Sequence, residues 1–184
     1  MKLYFAYGAN LNIANMAQRC PSAVAIEPFY LHDYRLMFSG VATIEPALNA
    51  RVPGALWAIT EACEQSLDVF EGYPWLYRKQ KIIMDGMPIM FYVMNHSVPS
   101  EPAVSYLETI AQGYEDFGLC LDDLYAAVQH TKEMQDDMQW STRTGSPSGD
   151  CATDLEDHVY LEPGHDLCWL RDVESSHRDP DPIQ

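Results

Sequence analysis

The most informative part of the sequence spans residues 67–78 and consists of Leu67-Asp68-Val69-Phe70-Glu71-Gly72-Tyr73-Pro74-Trp75-Leu76-Tyr77-Arg78. Leu67 and Phe70 fall on one face of a helix, and Gly72 suits the left-handed conformation that follows a last helical turn. Pro74 prevents the helix from continuing. The pattern therefore predicts a short helix that ends at Glu71.

Glu71 is an unusual residue for the end of a helix. The last turn carries the negative end of the helix dipole, which favours Lys, Arg or His. A carboxylate surrounded by Phe70, Tyr73, Trp75 and Tyr77 has its charged form disfavoured by the dipole and by desolvation, so we expect its pKa to be raised. A raised carboxyl pKa suits a general acid/base near neutral pH. The alternative is a solvated surface glutamate that tolerates a small unfavourable dipole energy.

The start of the chain predicts a strand, a glycine turn and a helix. Residues 2–7 form a near-continuous apolar and aromatic run that is typical of a buried strand. Asn12 can cap a helix that stops before Pro21. The turn between them, Gly8-Ala9-Asn10-Leu11, presents backbone N–H groups at the positive end of a helix dipole, and we expect Gly8 to need a positive φ. Such a turn suits a carboxylate or a developing oxyanion, although many turns of this composition bind nothing.

Short strands and breakers fill the region before Glu71. Three short strands are predicted at 23–31, 34–39 and 54–59, and the residues expected to break extended structure in this region are Pro28, Gly40, Pro46 and Pro53-Gly54. Thr60 can cap the helix that ends at Glu71.

A hairpin and two helices follow. Asp85-Gly86 is a two-residue pair of the type that closes a hairpin, here between 79–84 and 87–94. Helical spacing of apolar residues then predicts helices at about 103–114 and 119–131.

The net charge of −16 is unevenly placed. Residues 1–132 hold 14 acidic and 8 basic side chains, and residues 133–184 hold 13 and 3. An acidic balance argues against a nucleic-acid-binding protein, since phosphates need a basic face. The change in composition predicts a domain over residues 1–132, followed by an acidic extension over residues 133–184 that is partly disordered or docks as an arm.

Several other classes of protein do not fit the sequence. No apolar run is long enough to span a membrane, no signal peptide is recognisable, and five cysteines without a CxxC pair favour a reduced, cytoplasmic protein. No GxSxG, P-loop or GxGxxG motif occurs, so the simple cases for a serine hydrolase, a nucleotidase or a dinucleotide-dependent enzyme are absent, and we predict no metal site. The residues that come nearest to a zinc set have the wrong spacing for one. They are Cys151, His158, His165 and Cys168.

Two motifs together make the chain resemble the gamma-glutamylcyclotransferase-like family. The matching segments are Tyr4-Phe5-Ala6-Tyr7-Gly8-Ala9-Asn10-Leu11, Val52-Pro53-Gly54-Ala55-Leu56-Trp57 and Leu67-Asp68-Val69-Phe70-Glu71-Gly72-Tyr73-Pro74. Phe91-Tyr92-Val93-Met94 and residues 106–124 are similar to the closing strand and C-terminal helices of that family. The resemblance covers about residues 1–131.

The resemblance implies a fold, a reaction and a site. The fold is α+β, a small mixed β-barrel that is closed or nearly closed, with flanking helices. The reaction is cofactor-independent, of the acyltransferase or lyase type, and releases 5-oxoproline from a small γ-glutamyl compound, as in glutathione metabolism. Glu71 is the implied general acid/base. The implied substrate-binding residues are Tyr7, Gly8, Ala9, Asn10 and Leu11. Neither a nucleic acid nor a membrane is a predicted partner, and the oligomeric state stays open.

One residue departs from the family pattern and leaves alternatives open. Ala9 stands where the family usually has Ser or Thr, so a hydroxyl that would face the substrate is missing. The substrate is then either a γ-glutamyl amino acid or a γ-glutamylamine, including a protected intermediate. A different class is a non-catalytic γ-glutamyl-binding or adaptor protein with the acidic extension as its arm. The presence of Glu71 argues against that class.

Overall fold

A computed structural model describes residues 1–84 and 86–144 of the chain. Several predicted features lie outside these residues: Asp85 of the hairpin turn, the extension from residue 145 onward, and the four residues with zinc-like chemistry. The described residues form five strands, four α-helices and a one-turn 3-10 helix. Their bounds are β1 Lys2–Ala6, the 3-10 turn Ala9–Leu11, α1 Ile13–Arg19, β2 Val24–Ser39, β3 Val41–Ile59, α2 Glu61–Glu71, β4 Tyr77–Met84, β5 Met87–Met94, α3 Val104–Asp116 and α4 Leu121–Thr144.

Strand β1 lies at the centre of a single mixed sheet with the order β2-β3-β1-β5-β4. It pairs antiparallel with β3 and parallel with β5. A strand covered on both faces needs an apolar sequence, and Tyr4, Phe5 and Ala6 are all buried. The central position of β1 places the turn that follows it at one edge of the core.

Strands β2 and β3 form one long hairpin instead of the three short strands that the sequence predicts. Gly40, at φ +70°, makes the connection, as a predicted breaker should. Pro46 and Pro53 do not break β3, because β1 pairs only with residues 55–59 and leaves the earlier part of β3 with an open edge. A proline on an open edge removes no ladder hydrogen bond.

Gly54 has a steric reason to be glycine. A Cβ at this position would lie 2.3 Å from the carbonyl oxygen of Ala6 and 2.3 Å from the Phe5 ring. The close approach of β1 and β3 therefore requires a residue with no side chain.

The barrel implied by the resemblance is not closed. No ladder joins β2 to β4 within the part of the chain that the structure describes. The two outer strands nevertheless approach each other, since the Tyr34 hydroxyl donates to Gln80 Oε1 at 3.3 Å. Tyr34 also packs edge-to-face on Phe91 of β5. The fold is thus of the α+β class. It has one open sheet, whose outer strands β2 and β4 approach each other, and helices that flank the sheet.

The predicted end of α2 is confirmed. The Thr60 side chain accepts from the Cys63 amide at the start, and Gly72 adopts the left-handed conformation at the end. The Tyr73 amide donates to the Asp68 carbonyl at 2.9 Å, which satisfies a carbonyl of the last turn. Glu71 is the final residue of the helix.

The predicted hairpin is also confirmed, but the last helix is longer than predicted. Met84 pairs with Met87 across the two-residue connection. Helix α4 continues to Thr144, past the expected end at residue 131. The added residues include two Gln, two Met and one each of Lys, Glu and Arg, all good helix formers. The domain boundary at residue 132 stays a prediction. No helix in the described ranges is both long and apolar enough to span a membrane.

Candidate active site

Glu71 and the turn after β1 lie on the same cavity although 61 residues separate Glu71 from Asn10. The cavity is lined by Gly8, Ala9 and Asn10 on one side and by Phe70 and Glu71 on the other. The end of β1 fixes the turn, and the left-handed stop after α2 fixes Glu71. The two motifs of the sequence therefore form opposite sides of one site.

A hydrogen bond joins the two sides directly. Asn10 Nδ2 donates to Glu71 Oε1 at 2.8 Å and to the Tyr4 hydroxyl at 2.9 Å. The other end of the same amide, Oδ1, accepts from Arg19 Nη1 at 2.8 Å. Asn10 is buried, so a fully bonded amide is expected there. Every heavy polar atom of the Asn10 side chain is thus engaged.

The pKa of Glu71 is raised from its ordinary value of 4.5 to about 7. Burial of the carboxyl is the main cause, and the positive charge of Arg19 and the hydrogen bond from Asn10 oppose it. The direction agrees with the prediction from the sequence, whereas Arg19 and Asn10 were not expected to counteract it. At neutral pH both protonation states of Glu71 are populated, as proton transfer in two directions requires.

Tyrosines form much of the cavity wall. Tyr7 donates its hydroxyl proton to the Tyr92 carbonyl and Tyr77 donates to the Ala42 carbonyl, both at 2.6 Å. Those two protons are therefore already engaged by backbone carbonyls. Arg19 is the titratable side chain that lowers the pKa of Glu71, and the negative charge of Glu71 in turn contributes to the raised pKa values of the tyrosines at 4, 7, 77, 92 and 106.

Tyr106 differs from the other tyrosines of the wall. Its hydroxyl oxygen accepts a hydrogen bond from the Ala42 amide at 3.1 Å and another from the Ala9 amide. Burial raises the pKa of Tyr106, so the hydroxyl stays protonated. Because its oxygen accepts from two amides, its own proton is available to the cavity that it lines.

The predicted binding residues do not all lie in one place. Tyr7, Gly8, Ala9 and Asn10 line the cavity, but Leu11 does not. Leu11 is fully buried and packs so closely on α3 that a Cβ on Gly113 would lie 2.5 Å from it. Its amide closes the turn by donating to the Gly8 carbonyl at 2.9 Å. Leu11 therefore anchors the turn in the core.

Two other expectations about the site are corrected. Gly8 has φ −118°, so a positive φ is not the reason for glycine. The reason is space: a Cβ there would lie 3.1 Å from the Ala42 Cβ and 3.3 Å from the Tyr106 hydroxyl. Of the aromatic residues expected around Glu71, Trp75 is 88% exposed and Tyr73 41% exposed. Desolvation of Glu71 comes from the cavity wall and not from the loop after the helix.

The site residues that the sequence did not predict include Arg19 and Tyr106. A basic residue in the last turn of a helix is favoured by the dipole, so Arg19 in α1 has an ordinary local explanation. Tyr106 lies near the start of α3, far along the chain, where a tyrosine is unremarkable. No group of three or more His, Cys, Asp or Glu side chains suited to a metal occurs among the residues that the structure describes.

Comparison with known protein families is consistent with this geometry. Residues 4–113 match the model of the family described as gamma-glutamyl cyclotransferase, AIG2-like. The matched segment contains both sides of the cavity, including Glu71, Arg19 and Tyr106.

Known relatives and a solved structure point the same way. The chain is similar to the gamma-glutamylcyclotransferase of Bos taurus, with 30% identity over 138 residues that cover 65% of this chain and 73% of the relative. The human protein of the same name is 29% identical over the same length and coverage. A solved structure of a gamma-glutamyl cyclotransferase superposes with a TM-score of 0.58 at 22% identity, covering 85% of this chain and 94% of that one. That likeness shows the shared fold.

Proposed function

Because this chain belongs to the gamma-glutamyl cyclotransferase, AIG2-like family and is an enzyme of that type, we propose that it releases 5-oxoproline from a γ-glutamyl compound, with Glu71 as the proton carrier. The observation that carries the proposal is the position of Glu71. Its carboxyl has a pKa of about 7 and faces the turn formed by residues 8–10 across a single cavity. A carboxyl with that pKa can accept and return a proton at neutral pH.

The first step in the proposed reaction is the loss of a proton. The α-amino group of the substrate is an ammonium at neutral pH and becomes nucleophilic only when Glu71, in its ionised form, takes one proton from it. The free amine then attacks the γ-carbonyl carbon within the same molecule. A new C–N bond closes a five-membered ring, and the carbonyl oxygen becomes an oxyanion.

The second step returns the proton. The oxyanion collapses, the bond to the departing nitrogen breaks, and protonated Glu71 donates to that nitrogen. The ring nitrogen still carries one proton more than a lactam nitrogen holds, and it passes that proton to the released amine. The products are 5-oxoproline and an ammonium, and Glu71 is ionised again. Because attack is intramolecular, the protein needs to supply orientation and proton transfer but no nucleophile of its own.

Tyr106 is the donor that we assign to the oxyanion. Its hydroxyl oxygen already accepts from the Ala9 and Ala42 amides, which polarises the O–H bond toward the cavity. A donor held in place before the reaction stabilises charge as it develops. Tyr106 also puts a hydroxyl beside Ala9, the position where the family usually has Ser or Thr.

The proposal also names the class of γ-glutamyl compound that is the substrate. The cavity wall around the turn is fixed by hydrogen bonds and suits the γ-glutamyl part that all candidates share. A γ-glutamyl amino acid is the substrate that we propose first. A γ-glutamylamine is the alternative, since the side chains around the end of α2 are exposed and would place few restrictions on a leaving amine there.

A panel of γ-glutamyl amino acids and γ-glutamylamines tests the proposal directly. The full-length protein should release 5-oxoproline from at least one of them, and Glu71→Gln should not do so above background. Glu108→Gln is a matched control, since Glu108 is an exposed glutamate of α3 that does not line the cavity. Binding of a γ-glutamyl compound without release of 5-oxoproline would instead establish a non-catalytic binding protein.

A further inference from the structure

Arg19 contacts the site but has no part in the reaction described above. It is the last residue of α1 and is half-buried. Its guanidinium lies over the Phe70 ring, 3.7 Å from the ring centre, and Phe70 immediately precedes Glu71. Arg19 therefore connects α1, the turn after β1 and the end of α2.

The hydrogen bond from Arg19 determines which way the Asn10 amide faces. A guanidinium has only donors, so the Asn10 atom opposite Arg19 Nη1 must be the oxygen. The NH2 group must then point the other way, where it donates to Glu71 Oε1 and to the Tyr4 hydroxyl. Arg19 thus fixes an orientation that the shape of the asparagine side chain alone leaves open.

The opposite orientation of the amide would change the state of Glu71. A flipped amide would place its oxygen against the carboxyl oxygen, where it repels a carboxylate and accepts only from the protonated acid. It would also place its NH2 group against the Arg19 guanidinium, donor against donor. The observed arrangement favours the ionised form of Glu71 and leaves Oε2 as the oxygen that exchanges a proton with a substrate.

The contact with Phe70 explains why this position needs arginine and not another basic residue. A planar guanidinium can stack on an aromatic ring and donate in its own plane at the same time. A lysine ammonium keeps the positive charge but lacks the plane that directs one donor to Asn10. A comparison of arginine with lysine at position 19 therefore separates the effect of the positive charge from the effect of orienting the Asn10 amide.

We propose that Arg19 is a positioning residue, which holds the Asn10 amide with its NH2 group toward Glu71 and so prepares Glu71 to accept the first proton. The kinetic part of this proposal rests on the reaction proposed above. The structural part, the orientation of Asn10, does not depend on it.

The first experiment needs no substrate. In full-length protein labelled with 15N and with 13C-carboxyl glutamate, the Asn10 side-chain amide and the Glu71 carboxyl are followed by NMR between pH 5 and 9. Asn10→Ala and Glu71→Gln assign the two signals. In the parent, the Asn10 signals should move with the titration of Glu71. In Arg19→Lys that coupling should be lost, and the Glu71 midpoint should rise, as it should in Asn10→Ala.

The second experiment separates positioning from charge by kinetics. Arg19→Lys should lower kcat at least tenfold and change KM less than threefold. In the Asn10→Ala background, Arg19→Lys should cause less than a twofold further loss, because the group on which it acts is already absent. Arg51→Lys is the matched control, since Arg51 also lies over an aromatic ring, that of Tyr30, outside the cavity. It should leave kcat, KM and the Glu71 titration unchanged.

Three results would overturn the proposal. Equal losses from Arg19→Lys with and without Asn10 would show that Arg19 does not act through the amide. A loss confined to KM would show a direct contact with substrate. An unchanged Asn10 signal in Arg19→Lys would show that charge alone is sufficient.

If no γ-glutamyl compound is turned over, the reaction proposed above fails, while the NMR result still decides the role of Arg19. Arg19→Gln provides a second variant if Arg19→Lys does not fold.

Discussion

The two sides of the cavity are built in opposite ways. The turn side, residues 7–10, is mostly buried, and Asn10 is only 3% exposed with every polar atom of its side chain bonded. The helix-end side contributes Phe70 and Glu71 to the cavity, and the residues next to them carry large apolar side chains in contact with water, such as Val69 at 83% and Trp75 at 88% exposure. Both sides contribute to the same site, yet only the turn side is rigidly specified.

This difference suggests a separate role for each side of the cavity: the turn side would recognise the substrate and the helix-end side would let the product leave. Buried and fully bonded groups keep their positions and can select one chemical moiety. An exposed, loosely packed rim selects weakly and lets a varied group enter and leave. We therefore expect the turn side to hold the γ-glutamyl part and the helix-end side to tolerate different amines, with Glu71 as the residue that serves both.

Replacement of Glu71 should have the largest effect. Glu71→Gln removes the proton carrier but keeps the size of the side chain, so kcat should fall by about 1,000-fold, within the range found for general acid/base groups. Release of 5-oxoproline measured beside a thermal melt checks this outcome. A rate within tenfold of the parent, in a folded variant, would remove Glu71 from its proposed role.

Tyr106→Phe should have the next largest effect and tests the rigid side of the comparison. It removes the proposed oxyanion donor, and kcat should fall by about 100-fold with a small change in KM. The variant should also unfold more easily, by about 1–3 kcal/mol, because the Ala9 and Ala42 amides lose their acceptor. The kinetics are therefore measured well below its Tm. Tyr125→Phe, on the exposed face of α4, is the control.

The stability of Glu71→Gln should depend on pH. A carboxyl whose pKa rises from 4.5 to about 7 on folding contributes stability below pH 4.5 and loses that contribution as the pH rises through 7. At pH 8 the glutamine variant should be more stable than the parent by about 1–2 kcal/mol, after allowance for the partial exposure of the carboxyl. Chemical denaturation at pH 4 and pH 8 measures the difference. Equal stabilities at pH 8 would show that burial of Glu71 carries no cost.

Trp75→Ala should have the smallest effect and tests the exposed side. Because Trp75 lies almost wholly in water, its replacement should change the free energy of unfolding by less than about 0.5 kcal/mol and leave kcat unchanged. A panel of substrates with different leaving amines shows whether KM changes with the size of the amine. A tenfold loss of kcat would mean that the helix-end side is as closely specified as the turn side.

Local sequence patterns predicted the elements that carry the chemistry. The stop of α2 at Glu71 follows from Gly72 and Pro74, and the hairpin at residues 84–87 follows from its turn pair. The strand before the glycine turn follows from a continuous apolar run. Each of these depends on neighbours in the chain, because turns, caps and periodicity act over only a few residues.

Prolines show where such local patterns fail. The sequence predicts that Pro46 and Pro53 interrupt extended structure before a strand at 54–59, yet both lie within the continuous strand β3. Whether a proline disrupts a strand depends on which edge is paired, and the pairing partner of β3 at each point is decided by distant residues of β1 and β2. The same limit applies to the barrel, since closure depends on how two outer strands meet.

The sequence by itself determined that a carboxylate ends α2 and that a glycine turn follows β1. It also predicted the direction in which the pKa of Glu71 shifts, although the burial that causes the shift comes from the cavity wall. Only the tertiary structure decided that Arg19 orients Asn10, that Tyr106 presents its hydroxyl beside Ala9, and that Leu11 belongs to the core. The physical reason is distance along the chain. Caps and turns are made by adjacent residues, whereas the hydrogen bonds of a cavity join side chains that only the packing of β1, α1, α2 and α3 brings together.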